Sequence, residues 1–277
     1  MGLALAALLR TDTDGTRIEL IGRRADPPAT ALLAGDDGRF RYGTAPASPG
    51  DLDAVLLCVP DAAIADAAGM LPGWDVETRT PVLHTCGAVG TAPLARLVGA
   101  GHPVGAVHPL AAIADPAHDW PRLRGALYGI DGDGEALCVA EWLAGVAGGS
   151  AVPVPAEARP AYHAAAVLAS NDVVALLARA AEVMAEAGLP PDAAEAGLAH
   201  LAAGAVASVE RSGAAAALTG PVARGDVDTV RLHLARLSPP ARRVYSCLGA
   251  EAVALARKRG LEPGVAAEIE DLFEEAG

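Results

Sequence analysis

The sequence has 277 residues, a length that suits one large or two modest domains with a real hydrophobic core. Hydrophobic residues make up 52% of the chain but aromatic residues only 3%, so we expect a core built mainly from Ala, Val and Leu. The formal net charge of −13 argues against a nucleic-acid partner and against an anionic membrane surface, because both require a basic patch.

The cysteines and histidines do not have the spacing of metal ligands. The four cysteines are far apart, and no HxH or HExxH motif occurs, so no metal site is predicted. Scattered cysteines are typical of reduced thiols in the cytosol. The apolar start of the chain lacks a basic segment and a cleavage site, and no uninterrupted apolar run reaches about 18 residues. We therefore expect a soluble, cytoplasmic protein.

The first half of the chain alternates strand and helix patterns. Predicted strands cover 17–21, 53–60, 81–86, 104–108, 126–130 and 151–154. Predicted helices cover 1–10, 61–70, 91–100 and 134–147. Continuous apolar strands are typical of a parallel sheet buried on both faces, and strands that alternate with helices predict right-handed βαβ units. The pattern predicts an α/β fold with a Rossmann-type parallel sheet.

The second half is helical throughout. A proline-rich segment at 153–160 is a plausible hinge, and the helical patterns follow it. These helices are predicted over 160–187, 192–211, 226–237 and 240–259. We predict two domains: residues 1–152, a Rossmann-like domain, and residues 153–277, an all-helical domain.

The start of the chain contains half of a dinucleotide-binding motif. In a Rossmann domain the glycines of GxGxxG lie between the first strand and first helix, and the helix N-terminus binds pyrophosphate. Residues 1–6 (MGLALA) look like the end of that motif, with Gly2 as its third glycine. The first strand and its Gly-x-Gly would precede Met1, which would leave a gap in the sheet. The alternative is an ordinary amphipathic helix in another α/β fold.

Two arginines follow the strand at 17–21. An acidic residue at this position binds the ribose of NAD, whereas arginine accommodates the phosphate of NADP. Arg23 and Arg24 are paired guanidinium groups and suit a phosphomonoester. They favour NADP over NAD as cofactor; the alternative is two solvated arginines on a loop.

Five short strings resemble one family. They are LCVPD at 57–61, HTCGA at 84–88, HPL at 108–110, YHAAAVLASN at 162–171 and LTGPVARGD at 218–226. Together they resemble the bacterial Rossmann-like proteins with a C-terminal domain of unknown function 2520. That family is similar to ketopantoate reductases, pyrroline-carboxylate reductases and β-hydroxyacid dehydrogenases, and has a 6-phosphogluconate dehydrogenase-like helical domain. The resemblance implies hydride transfer with a small oxo acid, hydroxy acid or imine, and a homodimer formed through the helical domain.

Several candidate site residues follow the predicted strands. Ligands of open α/β sheets bind beyond the carboxyl ends of the strands. We expect Val59 and Pro60 to contact the ribose and phosphates of the cofactor, and Thr85 and Gly87 to lie near its nicotinamide. His108 follows another strand and is a candidate to orient substrate or donate a proton. The alternatives are a simple strand-to-helix turn and structural histidines.

The helical half supplies the other candidates. His163 and Asn171 are predicted to share one face of the helix 160–187. Because imidazole side chains ionise near neutral pH, His163 suits a general acid, in place of the lysine of many relatives. Asn171 would hold the substrate carbonyl or carboxylate. Thr219, where a helix breaks, would present its hydroxyl to an anionic substrate. The alternatives are hydrogen bonds between helices and a capping turn.

The sequence therefore favours an oxidoreductase that acts on a small molecule and resembles ketopantoate reductase. NADP is the favoured cofactor, and NAD is the alternative. Two other readings stay open. The first is a non-catalytic dinucleotide-binding protein or degenerate scaffold. The second is a metal hydrolase built on converging histidines.

Overall fold

The computed structural model describes residues 1–24, 39–47, 49–77 and 79–276, which form two compact units. The first unit covers Met1–Leu168 and the second covers Ala169–Gly277. The boundary that we predict after residue 152 lies earlier in the chain than this division and stays a prediction.

The strands of the first unit form two separate sheets. Strands β1 (Ile18–Ile21) and β2 (Phe40–Gly43) pair in parallel as a two-stranded sheet. The larger sheet has five strands in chain order: β3 (Val55–Leu57), β4 (Val82–His84), β5 (Val104–Pro109), β6 (Leu127–Gly132) and β7 (Ser150–Pro153). Its neighbours are parallel except β5 and β6, which are antiparallel. The α/β fold with a Rossmann-type, mainly parallel sheet is confirmed. The antiparallel pairing of β5 with β6 and the presence of β2 were not predicted.

Five main helices accompany these strands. They are α1 (Gly2–Asp12), α2 (Ile64–Met70), α3 (Ala95–Gly99), α4 (Pro116–Asp119) and α5 (Gly134–Val146). The largest core cluster joins α1 and α5 to one face of the larger sheet, where Leu8, Leu83 and Val107 are fully buried. Small side chains allow this close packing: a Cβ on Gly105 of β5 would lie 3.2 Å from that of Ala136 in α5.

The N-terminus of α1 lies at the division between the two sheets. A Cβ built on Gly2 would lie 3.1 Å from Cβ of Cys58, just after β3, and 3.9 Å from Cδ1 of Leu20 in β1. Among the described residues no strand joins β1 to β3. Strands β1 and β3 therefore belong to separate sheets, and the start of α1 packs beside both.

Helix α6 (Arg159–Ala169) ends the first unit, and seven helices build the second. They are α7 (Asn171–Glu186), α8 (Pro191–Ser212), α9 (Ala214–Ala217), α10 (Gly220–Arg224), α11 (Val227–Arg236), α12 (Pro239–Lys258) and α13 (Pro263–Ala276). The core of the second unit lies among α11, α12 and α13, where Val230, Val253 and Ile269 are fully buried. Helix α13 was not predicted. The single helix predicted over 160–187 is interrupted at Ser170, whose φ of −128° and ψ of −74° are not helical.

Two long helices of the second unit bury almost nothing. The described residues of α7 include no buried residue, and those of α8 include only Ala194. Among the described residues, one helical stretch, Arg159–Glu186, is long and apolar enough to span a membrane by length and composition alone. Only 6% of its most apolar window is buried.

Candidate functional site

The carboxyl ends of β3, β4 and β5 meet at one edge of the larger sheet, because these three strands run parallel. Val59 and Pro60 are exposed after β3, and the backbone N–H of Thr85, after β4, donates to the carbonyl of Leu57 at 3.3 Å. His108 lies near the end of β5. The structure thus places four of the predicted site residues at the edge where ligands of such sheets bind.

The loop after β4 is shaped by a buried histidine. Nδ1 of His84 accepts from the backbone N–H of Cys86 at 3.2 Å, so Nε2 carries the proton and donates to the carbonyl of Gly90 at 2.9 Å. Burial lowers the pKa of His84. Both ring nitrogens have partners within the loop, so His84 has a structural role. Burial and the nearby Asp61 carboxylate raise the pKa of Cys86, which therefore remains a thiol rather than a nucleophilic thiolate.

Helix α6 lies across one face of this sheet, and its Tyr162 side chain packs against that face. The hydroxyl of Tyr162 lies 3.1 Å from Nδ1 of His108 and donates to the carbonyl of the same residue at 3.1 Å. Gly129 of β6 pairs with His108 in the sheet and leaves the space that the phenol ring fills. A Cβ on Gly129 would lie 2.6 Å from the Tyr162 hydroxyl, so a larger residue would displace the ring.

Two imidazole rings meet over one glycine. The rings of His108 and His163 are edge to face with centroids 5.6 Å apart. A Cβ on Gly87 would lie 2.6 Å from Nδ1 of His163 and 2.9 Å from Nε2 of His108. Only glycine allows both nitrogens to approach the loop after β4 this closely. Nδ1 of His163 is buried and has no hydrogen-bond partner there. The structure brings together three residues that we singled out separately from the sequence.

The surroundings of His108 disfavour the charged form of its ring. Burial, then a charge on His163, then the Arg159 guanidinium lower the pKa of His108 to about 4, against a smaller opposing effect of Asp61. His108 is therefore neutral at neutral pH. A neutral imidazole can orient a ligand by hydrogen bonding rather than by charge.

Arg159 is the part of the site that the sequence analysis missed. Its side chain is fully buried; Nη1 donates to the carbonyl of Cys86 at 3.2 Å, and Nε lies 3.6 Å from the carboxylate of Asp131. Nε and Nη2 have no hydrogen-bond partner. Burial lowers the pKa of Arg159, with Asp131 opposing that effect. The signal was present: Arg159, Tyr162 and His163 are spaced i, i+3 and i+4 on one helix, which places all three on one face.

The predicted cofactor residues at the smaller sheet lie where a strand ends. Arg23 and Arg24 follow β1 and are exposed. The hydroxyl of Tyr42 in β2 donates to the carbonyl of Arg24 at 3.0 Å, and its ring fills the space beside Gly22. The backbone of this turn is therefore held in place while both guanidinium groups reach solvent.

The remaining predicted residues belong to the second unit. Asn171 begins α7, and its amide oxygen accepts from the hydroxyl of Ser170 at 3.0 Å. Thr219 precedes α10, but its side chain makes no capping bond. Asp226 caps α11 instead, where its carboxylate accepts from the backbone N–H of Thr229 at 3.1 Å. The continuous helical face predicted to carry both His163 and Asn171 is interrupted between them at Ser170.

A surface cavity of about 580 Å³ in the first unit is lined by other side chains, including Asp75, Arg79 and His102. Among the described residues, no group of three or more His, Cys, Asp or Glu side chains is arranged to hold a metal ion.

The fold and the position of this edge define a class: Rossmann-type α/β proteins whose sheet is followed in the chain by a helical unit. Residues 126–252 match the family described as "Domain of unknown function (DUF2520)", so the resemblance stated from the sequence is confirmed. No curated protein sequence matches the chain.

Solved structures show the same fold. A protein from Thermotoga maritima is similar with a TM-score of 0.57 and 23% identity, over 86% of this chain and 82% of that one. A proposed NADP oxidoreductase from Bacteroides fragilis has a TM-score of 0.65 and 20% identity, over 90% and 93%. The NADP-bound pyrroline carboxylate reductase of Plasmodium falciparum has a TM-score of 0.55 and 13% identity, over 99% and 92%.

Proposed function

We propose that the chain is an NAD(P)-dependent oxidoreductase that reduces a small 2-oxo acid or imine, or oxidises the corresponding product, with ketopantoate reduction as one candidate. The observation that carries the proposal is the pair of imidazoles over Gly87, at the carboxyl edge of a Rossmann-type sheet. Similar folds include a proposed NADP oxidoreductase and an NADP-bound reductase, which supports the same class of reaction.

The residues at the sheet edges fit a dinucleotide. The first turn of α1 has no acidic residue. Because Gly2 has no side chain, the start of the helix can lie close to Cys58, where a Cβ on residue 2 would be crowded. A helix N-terminus without acidic or bulky side chains favours the binding of a pyrophosphate. The exposed guanidinium groups of Arg23 and Arg24 would hold the extra phosphate of NADP, and Val59, Pro60 and Thr85 would line the rest of the edge.

The two histidines then divide the acid–base work. When bound, the nicotinamide supplies or accepts the hydride. His163 gives a proton to the substrate oxygen that gains negative charge during reduction, and takes it back in the reverse direction. His108, which stays neutral, orients the substrate by hydrogen bonding rather than by charge.

We also propose that the second unit contributes Asn171 and Thr219 to substrate binding and forms a homodimer in the cytoplasm. The support for the dimer is the exposed apolar surface of α7 and α8, which includes Val174, Leu201 and Val206. Helices of this length gain their stability mainly from packing an apolar face, so these two need a covering surface.

Replacing His163 by Gln tests this division of work. We expect His163→Gln to bind NADPH as the wild type does, but to lose at least about a hundredfold in kcat with an oxo acid, the usual contribution of a positioned acid. NADPH binding by calorimetry and NADPH oxidation against a panel of 2-oxo acids and cyclic imines are the measurements. His200→Gln, an exposed histidine of α8, is the matched control.

Three outcomes would count against the proposal. NADPH binding without turnover of any panel member would favour a non-catalytic dinucleotide-binding protein. A His163→Gln enzyme of normal kcat and lowered Tm would remove His163 from the mechanism. NADPH and NADH binding equally well, with no loss in Arg23→Ala/Arg24→Ala, would remove the arginines from cofactor selection.

A further inference from the structure

The hydroxyl of Tyr162 faces two atoms of one residue. It lies 3.1 Å from the carbonyl oxygen of His108 and 3.1 Å from Nδ1 of its ring. A carbonyl oxygen can only accept a hydrogen bond, and a tyrosine hydroxyl has one proton to donate. Both contacts are hydrogen bonds only if the hydroxyl donates to the carbonyl and accepts from Nδ1–H. The opposite arrangement would place two oxygen lone pairs against each other at the first contact.

This arrangement decides which ring nitrogen carries the proton. In a neutral imidazole one nitrogen is a donor and the other an acceptor, and the partner of the first sets the role of the second. Because Nδ1 donates to Tyr162, Nε2 of His108 has a free lone pair. Nε2 belongs to the edge of the ring that faces Gly87 and the loop after β4.

We propose that Tyr162 is a positioning residue that fixes His108 in its Nδ1–H tautomer, and that Nε2 thereby accepts a hydrogen bond from the ligand. The ligand group that meets it must carry a hydrogen, as a hydroxyl, an amine N–H or the N–H of a protonated imine does, and a ketone oxygen does not. This inference rests on the proposed function and narrows its substrate class to groups that donate at this point.

The surroundings of His108 keep the ring in the neutral form that this role requires. The groups that face it are Tyr162, His163 and Arg159 on α6, and Asp61 after β3. Burial and the two possible cations oppose protonation of Nε2, and Asp61 alone favours it. The hydrogen bonds place a proton on Nδ1, and burial with the neighbouring charges keeps Nε2 unprotonated. Together they define the neutral Nδ1–H form of the ring.

Nitrogen-15 NMR of the protein labelled at histidine tests the tautomer without substrate or cofactor. At pH 7 we expect His108 to show a protonated Nδ1 and an unprotonated Nε2, two nitrogens whose shifts are well separated; His108→Gln assigns the signals by their loss. In Tyr162→Phe we expect the signals to move towards the Nε2–H form or an average of both forms.

The second unit offers a matched control. His233 and Tyr245 form a similar edge-to-face pair, with Nδ1 2.8 Å from the hydroxyl. Tyr245→Phe should leave the His108 signals unchanged. A wild-type His108 protonated at Nε2 would overturn the proposal outright, with no variant required. A His108 that keeps the Nδ1–H form in Tyr162→Phe would overturn the role of Tyr162.

The ligand is tested with the same signals. On titration with NADPH and a hydroxy acid or a protonated cyclic imine, we expect the unprotonated Nε2 signal to shift upfield as it accepts a hydrogen bond, while a matched ketone leaves it in place. An equal shift with the ketone would overturn the donor requirement. A correct tautomer in a protein that oxidises no NADPH would instead contradict the proposed function alone.

Discussion

The charge of His108 responds to folding. Its pKa is about 4 in the folded chain and near 6.5 in the unfolded chain, because burial and the neighbouring His163 and Arg159 disfavour the charged form. Between these two values the unfolded chain binds more protons than the folded chain. The stabilisation is therefore fully present above about pH 6.5 and is lost progressively as the pH falls towards 4.

Replacing His108 by Gln should reduce the pH dependence of the free energy of unfolding. We expect the wild type to lose about 2–3 kcal/mol of unfolding free energy between pH 6.5 and 4 through this residue, since each unit of pKa difference corresponds to about 1.4 kcal/mol. His108→Gln should lack that component. Urea denaturation at several pH values measures it.

The exposed His118 provides the control for this experiment. Its side chain is 83% exposed, and it pairs with Asp115 on the same turn. His118→Gln should keep the wild-type slope. Buried His84 is present in all three proteins and contributes equally to each, so the difference isolates His108. Equal slopes in wild type and His108→Gln would show that His108 is not held neutral by the fold.

At the scale of elements, the contact between α6 and β6 depends on Gly129, which has no side chain. Gly129→Ala places a Cβ 2.6 Å from the hydroxyl and 2.7 Å from Cζ of Tyr162, both parts of a rigid ring. We expect a loss of about 1–3 kcal/mol, typical of overpacking. Thermal unfolding measures it, and the signals of His108 should shift with the displaced phenol.

A glycine with free space around it is the proper comparison. Gly145 lies near the end of α5, and a Cβ there would contact nothing within 4 Å. Gly145→Ala should be neutral or stabilise by up to about 1 kcal/mol through helix propensity. Equal changes in stability in Gly129→Ala and Gly145→Ala would mean that Tyr162 of α6 does not pack against Gly129 of β6.

The sequence was informative about elements where burial alone decides them. Every strand that we predicted is present, because continuous apolar runs such as 53–60 are needed in a sheet covered on both faces. Strand β2 (FRYG) has no such run, since it pairs with only one strand and its residues are half-buried or exposed. The antiparallel direction of β6 and the interruption at Ser170 depend on tertiary packing, which periodicity does not encode.

At the scale of the whole molecule, the site was predictable in part. The position of His108 followed from the rule that ligand-binding residues lie after parallel strands, and that position is where the structure has it. Its contact with His163 was not predictable, because 55 residues separate them in the chain and only packing of α6 on the sheet joins them. Arg159 was missed since arginine is rarely buried, and the sequence alone does not show that it is.

The apolar surface of the second unit leads to the last prediction. Leu201 of α8 is 68% exposed, and burying one leucine stabilises by about 1.5–3 kcal/mol. A twofold interface contains each residue twice, so Leu201→Glu should weaken a homodimer by at least about a hundredfold. Sedimentation at micromolar concentration should find a dimeric wild type and a monomeric Leu201→Glu.

Leu232 of α11 separates an interface effect from a general effect of charge. It is also an exposed leucine of the second unit, at 57%, but it lies on a helix whose other face is well packed against the core. Leu232→Glu should remain dimeric. A monomeric wild type would refute the dimer, and vesicle binding by that monomer would assign the surface of α7 and α8 to lipid instead. Loss of the dimer in both variants would contradict an interface formed by α8, because only a contact specific to α8 predicts that the two leucines differ.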